Sequence, residues 1–311
     1  MTTILFAARS ERWTAYEPCL RAALQDAGLG HAELAIEADP AQVDYIVYAP
    51  NSGLTDFTPY TRLKAVLNLW AGVEDVVGNP TLTVPLARMV DDGLTEGMVE
   101  WVTGHVLRHH LGIDTHIHGQ DGKWRADSTP PLARDRTVAI LGLGVLGTAC
   151  AEALARLNFR TLGWSRSPKT VPGITCHHGA EGLRAALKEA EIAVLLLPDT
   201  PATENTLNAE TLALMPPGAV ILNPGRGPLI DDAALLAALD AGRVGHATLD
   251  TFRTEPLPHD HRYWSHPAVT VTPHIASTTR TASAARTIVE NIRRGEAGEP
   301  FRHLVDRSLG Y

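Results

Sequence analysis

Residues 136–147 read Arg-Thr-Val-Ala-Ile-Leu-Gly-Leu-Gly-Val-Leu-Gly, and this segment is the strongest indication of the fold class. Residues 137–141 are a short apolar run rich in β-branched side chains, which predicts a buried strand. Three glycines follow with the spacing G-x-G-x-x-G, and residues 145–157 then carry apolar side chains at helical intervals. Strand, glycine turn and helix in this order form the fingerprint of a dinucleotide-binding unit.

The three glycines have separate tasks in such a unit. Gly142 permits the tight turn, Gly144 lets the backbone approach a pyrophosphate, and Gly147 lets the helix pack closely on the strand. The first helical turn, with Val145 and Leu146, offers unpaired N–H groups and the positive end of the helix dipole to the phosphates. An ordinary glycine-rich turn is the alternative interpretation, but the strand before it and the helix after it favour a nucleotide site.

Composition and charge limit the class of protein. The chain has 311 residues, of which 44 % are hydrophobic, and this length predicts about two domains. A formal net charge of −8 disfavours a nucleic-acid-binding protein, which normally carries a basic surface. Three scattered thiols, at Cys19, Cys150 and Cys176, lack a C-x-x-C spacing, which is typical of a reducing compartment. Since we find no secretory signal and no apolar run of about 18 residues, we expect a cytoplasmic protein without a membrane partner.

Strands and helices alternate along the chain, and this rhythm predicts parallel sheets. The expected fold class is α/β, with two Rossmann-like domains and the active site in the interdomain cleft. Residues 1–100 and 283–311, which lack a phosphate fingerprint, are expected to form a flavodoxin-like substrate-binding domain. Residues 101–282 are expected to form the NAD(P)-binding Rossmann domain. Within it, residues 112–135 show no clear period and are expected to hold no regular element.

The second strand of the Rossmann domain ends in a basic loop. NAD sites of this kind place a carboxylate about 20 residues beyond the fingerprint, where it binds the ribose hydroxyls. Here residues 163–169 contain Ser165, Arg166 and Lys169 but no carboxylate. These side chains suit a 2′-phosphate, which Arg binds through a forked, charge-assisted contact. A solvated basic loop is the alternative. The sequence favours NADP(H) as cofactor, with NADH or NAD as the second choice.

Three polar residues follow the fourth, fifth and sixth predicted strands of the Rossmann domain, which are residues 219–223, 247–250 and 269–272. This is the sheet edge where open α/β folds bind their ligands. The three polar residues are Arg226, Glu255 and His274. Arg226 suits a carboxylate and the adjacent carbonyl, and His274 suits proton donation to the oxygen as hydride reaches the carbon. Glu255 would orient the imidazole and raise its pKa. Each residue alone is more often a surface charge or a structural histidine, but the ordered set after the fingerprint predicts a hydride-transfer site.

Taken together, these motifs resemble those of the D-isomer-specific 2-hydroxyacid dehydrogenase family, and the resemblance covers nearly the whole chain. The segments that carry it are residues 69–73, 142–147, 164–166, 197–201, 249–252 and 305–311. The resemblance implies that Arg226, Glu255 and His274 are the catalytic set. It also implies a homodimer, with the segment around Trp124 near the partner subunit.

Further contacts are implied by the same resemblance. The backbone N–H groups of Ala71, Gly72 and Val73 would hold the substrate carboxylate, and Arg280 would face the substrate. Asp250 would lie near the nicotinamide carboxamide. Three residues would line the adenosine side of the cofactor: Leu197, Pro198 and Thr200.

Two features depart from the family pattern. Tyr48 stands where the members closest in motif carry Trp, which changes the expected size of the substrate pocket. Pro224 and Gly225, in the cofactor loop before Arg226, stand where the family generally has a small pair without proline. This changes the expected stiffness of the loop and leaves Arg226 in place.

Histidines are the remaining candidates for chemistry. His105 and His109 have the i,i+4 spacing of metal ligands on one predicted helix. No H-E-x-x-H motif and no cysteine ligand accompanies them, so we expect structural or surface histidines and no metal. The other histidines that add local density are His110, His116, His118, His177, His178, His259 and His261.

The resemblance and the residues together predict an NADPH-dependent reductase of small 2-oxo acids, glyoxylate and hydroxypyruvate by family implication. Two alternatives stay open. One is a dehydrogenase of the same fold for another small acid, such as formate. The other is a cofactor-sensing binding protein like the corepressors built on this fold, which keep the same three polar residues.

Overall fold

The chain divides into two compact units in a computed structural model that describes residues 1–124, 126 and 128–311. The first unit contains Met1–Leu94 and Thr278–Tyr311, and the second contains Thr95–Ser277. Both boundaries lie a few residues before those expected from the sequence. Each unit is built on its own parallel sheet.

The regular elements are as follows. The strands are β1 (Thr3–Ala7), β2 (Glu33–Ala35), β3 (Tyr45–Tyr48), β4 (Ala65–Asn68), β5 (Leu86–Ala87), β6 (Thr137–Leu141), β7 (Arg160–Ser165), β8 (Thr175–His178), β9 (Ile192–Leu195), β10 (Ala219–Asn223), β11 (Val244–Leu249) and β12 (Val269–Val271). The α-helices are α1 (Ser10–Asp26), α2 (Glu74–Val77), α3 (Asp92–His110), α4 (Ile113–His118), α5 (Val145–Arg156), α6 (Gly179–Glu189), α7 (Ala209–Leu214), α8 (Asp232–Asp240) and α9 (Thr281–Glu296).

In the first unit the strand order is β2-β1-β3-β4-β5. This is the flavodoxin-like order of doubly wound sheets. The central strands β3 and β4 are buried along their whole length, as expected for apolar strands covered on both faces. The C-terminal helix α9 returns to this unit, where Ala284, Ile288 and Ile292 join the same apolar core as Leu20 and Leu24 of α1.

In the second unit the strand order is β12-β11-β10-β9-β6-β7-β8. The order reverses between β6 and β9, which is the topological switch point where open α/β sheets bind ligands. All five residues of β6 are buried, and the glycine fingerprint follows directly. The α/β class with Rossmann-like parallel sheets, predicted from the sequence, is confirmed.

Three short elements were not predicted. Strand β8 lies at the edge of its sheet and reads Thr-Cys-His-His, so it lacks the apolar signal of a central strand. Helix α4 lies within the stretch expected to be irregular. The sequence did not reveal it because none of its residues is buried and no apolar face marks it. Helix α2 is a single turn of four residues.

The length and hydropathy of the helices determine whether any of them could cross a membrane. Within the part of the chain that the structure describes, no helix combines the length and the apolar character needed to cross a bilayer.

Candidate active site

The glycine loop between β6 and α5 forms an open cradle. Gly142 has a φ of +111°, and a Cβ atom added there would lie 2.4 Å from the carbonyl oxygen of Leu196. A Cβ atom at Gly147 would lie 1.7 Å from the carbonyl oxygen of Gly142. At Gly144 an added Cβ would meet no described atom within 4 Å, and both Gly144 and Val145 are exposed. The backbone is therefore compressed where it packs and open where a pyrophosphate would approach, so the loop fits a dinucleotide.

The basic loop after β7 is connected to this cradle. The Nζ atom of Lys169 donates to the carbonyl oxygen of Leu143, which belongs to the glycine loop. Arg166, three residues before Lys169 in the same loop, is exposed. Ser165 is buried, and its hydroxyl donates to the carbonyl oxygen of Ser167 at 2.8 Å, so it shapes the turn. The structure thus brings Lys169 to the fingerprint loop.

The loop after β9 holds the residues assigned to the adenosine side. Leu197 is buried in the core of the sheet, whereas Pro198 and Thr200 are half-buried. The Thr203 hydroxyl donates to the carbonyl oxygen of Pro198 at 2.7 Å and lies 2.9 Å from the Thr200 hydroxyl. A hydroxyl network therefore fixes this turn, while its contact with a nucleotide stays a prediction.

Arg226 is held by the loop that follows β10. Asn223 bridges this loop: its Nδ2 atom donates to the carbonyl oxygen of Arg226 at 2.9 Å, and its Oδ1 atom accepts from the Gly225 N–H at 3.2 Å. Pro224 and Gly225 are buried, and a Cβ atom at Gly225 would lie 2.7 Å from the carbonyl oxygen of Leu195. Gly225 therefore packs against β9, and its carbonyl oxygen accepts from the Arg226 Nη1 atom at 2.8 Å.

His274 and Glu255 form a direct pair. The Nδ1 atom of His274 lies 2.7 Å from the Oε2 atom of Glu255, and the Oε1 atom of Glu255 accepts from the Phe252 N–H at 2.9 Å. Because Nδ1 is engaged, Nε2 is the ring nitrogen available for a reacting group. The His274 side chain is 49 % exposed. The predicted contact between these two residues is present, and their catalytic roles stay a prediction.

The protonation of His274 and that of Glu255 depend on each other, and the charge of Arg226 acts on both. The hydrogen bond that His274 donates to Glu255 raises the pKa of His274 above its ordinary value; burial and the Arg226 charge oppose this. For Glu255, burial alone would raise the pKa, but the bonds to His274 and to the Phe252 N–H, with the charges of His274 and Arg226, lower it. The pair therefore favours an ionised carboxylate beside a protonated imidazole.

Asp250 anchors the loop that carries His274, a feature that the sequence reasoning missed. Its carboxylate is fully buried. It accepts from the Thr272 hydroxyl at 2.6 Å and from the Ile275 and Ala276 N–H groups at 2.9 Å each. The His274 N–H donates to the Asp250 carbonyl oxygen at 2.8 Å. These bonds hold His274 at a φ of +53°, which few non-glycine residues adopt. The sequence signal that could have revealed this anchor is a carboxylate directly after the buried strand β11.

The first unit contains the other residues that are expected to bind substrate. Tyr48 is 3 % exposed, and its hydroxyl donates to the Leu54 carbonyl oxygen at 3.1 Å. In the loop of residues 71–73, the Gly72 carbonyl oxygen accepts from the Nδ2 atom of Asn68 at 2.8 Å. The loop's own N–H groups donate to nothing in the described part of the chain. Arg280 is exposed at the start of α9, and its side chain packs beside Gly93.

Comparisons with known proteins agree with this architecture. Residues 103–276 match the family model described as "D-isomer specific 2-hydroxyacid dehydrogenase, NAD binding domain". Glyoxylate/hydroxypyruvate reductase A of Serratia proteamaculans is 40 % identical over 259 residues, which cover 80 % of this chain and 82 % of that protein. The same-named protein of Yersinia enterocolitica is also 40 % identical, over 257 residues with the same coverage of both chains.

Two solved structures extend the likeness to the full chain. A D-isomer specific 2-hydroxyacid dehydrogenase from Xanthobacter autotrophicus, in complex with NADPH and MES, has a TM-score of 0.93 at 39 % identity and covers 100 % of this chain and 99 % of its own. An NADPH-dependent glyoxylate/hydroxypyruvate reductase from Sinorhizobium meliloti, in complex with NADP and sulfate, has a TM-score of 0.86 at 34 % identity, with both chains covered completely.

A Rossmann sheet with a glycine cradle at its switch point, followed by an Arg and a His–Glu pair at its strand ends, defines an oxidoreductase of the dinucleotide-binding class. The chain belongs to the D-isomer specific 2-hydroxyacid dehydrogenase family.

Proposed function

We propose that this protein reduces small 2-oxo acids, glyoxylate and hydroxypyruvate, to 2-hydroxy acids with NADPH. The observation that carries the proposal is the His274–Glu255 pair at 2.7 Å, in a unit whose glycine loop fits a dinucleotide. The names of the relatives support the choice of substrates. NADPH, when bound, supplies hydride to C2 of the substrate, and one proton completes the new hydroxyl group.

His274 is the proposed proton donor. Its Nδ1 atom is bonded to Glu255, so Nε2 carries the proton that passes to the carbonyl oxygen as the carbon accepts hydride. Glu255 fixes the ring orientation and stabilises the imidazolium before transfer. Arg226 binds the carboxylate and polarises the adjacent carbonyl, because its charge and fork geometry match a 2-oxo acid. In the first unit, the N–H groups of residues 71–73 are proposed to bind the carboxylate.

Three further residues are proposed to act on substrate or cofactor. Tyr48 and Arg280 would define the size and charge of the substrate pocket. Asp250 would lie near the nicotinamide carboxamide, and its buried carboxylate positions His274 through the bonds to Thr272 and Ile275.

NADPH is favoured over NADH by the loop after β7. Lys169 supplies positive charge at the glycine loop, and exposed Arg166 lies in the same loop after β7. Residues 163–169 contain no carboxylate that would repel a 2′-phosphate. The solved relatives from Xanthobacter and Sinorhizobium, which hold NADPH and NADP, support the same choice.

A homodimer and a cytoplasmic location complete the proposal. The segment between α3 and β6 exposes large apolar side chains, with Trp124 94 % exposed, Leu132 61 % and Ile117 58 %. This concentration of exposed apolar side chains in one segment supports an association surface, and the partner proposed here is a second copy of the chain. The described cysteines are free thiols, which is typical of a reducing compartment.

Consumption of NADPH, followed by absorbance, tests the proposed function. The substrates are glyoxylate, hydroxypyruvate, pyruvate and a bulky aromatic 2-oxo acid, each measured again with NADH. We expect the highest kcat/KM for glyoxylate or hydroxypyruvate with NADPH. Cofactor binding without turnover of any acid would instead favour the cofactor-sensing protein, and a preference for NADH would contradict the 2′-phosphate site.

The same assay applied to Arg166→Gln separates cofactor choice from catalysis. Loss of a charge-assisted contact is expected to raise KM for NADPH about tenfold or more, while KM for NADH stays close to the parent value. Arg156→Gln, which removes an exposed charge paired with Glu152 on α5, is the matched control and should leave both constants unchanged.

Glu255→Gln is expected to move the pH profile of reduction to lower pH. Reduction needs protonated His274, so activity falls as pH rises through the His274 pKa. Glu255 raises that pKa, so its neutral replacement makes the decline begin at lower pH. The measurement is kcat/KM for glyoxylate against pH for both proteins. An unchanged profile would remove Glu255 from the control of His274.

A further inference from the structure

A second group of side chains with ligand chemistry lies away from the glycine loop and the His274–Glu255 pair. It consists of His109 on α3, Asp114 on α4 and His246 on β11. One ligand atom from each residue lies within 4.8 Å of the other two, and the two imidazole ring centres are 4.8 Å apart. The i,i+4 pair marked in the sequence is thus divided, because His109 joins this group and His105 does not.

Each member of the group is held by a second partner. The Nε2 atom of His109 lies 2.9 Å from the Thr248 hydroxyl, and the Nε2 atom of His246 lies 2.9 Å from the Thr270 hydroxyl. Arg108 engages both carboxylate oxygens of Asp114: its Nε atom donates to Oδ1 at 2.8 Å, and its Nη2 atom lies 2.8 Å from Oδ2. Metal-binding histidines and carboxylates are typically oriented by outer partners of this kind, which fix ring rotation and tautomer.

We propose that His109, Asp114 and His246 form a binding site for a divalent transition-metal ion, with Zn²⁺ as the best match. Two imidazole nitrogens and one carboxylate oxygen are ligands that Zn²⁺ takes in three-residue sites, with water in the open position. Mg²⁺ and Ca²⁺ prefer all-oxygen ligands, so this donor set discriminates against them.

The protonation of the group suits such an ion. Burial lowers the pKa of His109 to about 3 and that of His246 to about 4, so both rings are neutral at pH 7 and able to ligate. The bond from Arg108 lowers the pKa of Asp114, which is therefore ionised. The positive charge of Arg108 opposes a cation. However, a carboxylate has about four lone-pair sites and binds a guanidinium and a metal together. Neighbouring His105 and His266 also contribute charge when protonated.

An ion in this position would join elements that lead toward the candidate active site. It would tie the α3–α4 turn to β11, whose end leads into Asp250, and Thr270 on the adjacent β12 holds the His246 ring. Because the unfolded chain does not preform the site, binding would stabilise the folded state by mass action. The expected consequence is a higher midpoint of thermal unfolding.

Zn²⁺ titration of the full-length protein after chelator treatment tests the site. We expect one equivalent of Zn²⁺ to bind by calorimetry and to raise the unfolding midpoint, whereas Mg²⁺ does neither. His246→Gln is expected to weaken Zn²⁺ binding at least about tenfold, the loss typical of a disturbed metal site. The matched control is His178→Gln, which replaces an exposed histidine of β8. It should bind Zn²⁺ like the parent protein.

Equal Zn²⁺ affinity in the parent and in His246→Gln would overturn the proposal, as would the absence of uptake by the parent. If His246→Gln fails the circular-dichroism check of folding, Asp114→Asn takes its place with the same expected loss. Co²⁺ provides a separate readout: a visible absorption band in the parent that both variants lose would assign the ligands. A band that persists in both variants would place the ion elsewhere, for instance at His274 and Glu255.

Discussion

Replacing His274 by Asn is expected to lower kcat for glyoxylate reduction by about 100- to 10,000-fold, the usual contribution of a positioned acid. Asn is the best replacement because the position has a φ of +53°, a conformation that Asn tolerates better than most side chains. The loop should therefore keep its fold through the Asp250 contacts with Ile275 and Ala276, while the proton donor is lost.

Two measurements accompany the His274→Asn assay. Binding of NADPH, measured by fluorescence without substrate, should stay within about threefold of the parent value, because the glycine loop is untouched. His178→Gln serves again as the control for the loss of an exposed imidazole and should retain full turnover. Near-parental kcat in His274→Asn would show that the proton comes from another group or from water.

The sequence predicted two inner strands of the Rossmann sheet well, for a physical reason. Strands β6 and β10 begin and end at the predicted residues. Both are buried near the middle of the Rossmann sheet, where covered faces require continuous apolar runs. Strand β8 and helix α4 were missed since neither buries a continuous apolar face. The omission of β8 also means that Arg226, Glu255 and His274 follow the fifth, sixth and seventh strands of this unit, one later than predicted.

In the candidate site, the His274–Glu255 contact could be predicted from the sequence, whereas the bonds that hold the surrounding loops could not. Strand ends in a parallel sheet meet at one edge, so the order of Arg226, Glu255 and His274 in the chain predicts that they lie at the same edge. The Asp250 anchor depends on loop geometry, which no local pattern encodes. The contact between His109 and His246 depends on α3 packing beside β11, and the two residues are far apart in the sequence. Long-range pairs of this kind are set by the tertiary fold alone.

Replacing Arg226 by Gln is expected to lower kcat/KM for glyoxylate by about 100- to 1,000-fold, which is the usual cost of removing a preorganised donor from developing negative charge. Gln retains a donor near the Gly225 carbonyl oxygen, which the Arg226 Nη1 atom now contacts at 2.8 Å, so the loop should stay folded. Arg226→Lys keeps the charge without the fork and should fall between the parent and Arg226→Gln.

The Arg226 series also has a pH signature that a purely structural role would not produce. The Arg226 charge lowers the pKa of His274. Its removal should therefore move the decline of reduction activity to higher pH, opposite to the shift expected for Glu255→Gln. Arg262→Gln, which removes an exposed guanidinium paired with Asp240, is the matched control for lost charge. Arg226→Gln with parental kcat/KM and an unmoved profile would exclude Arg226 from both substrate binding and the electrostatics of the His274–Glu255 pair.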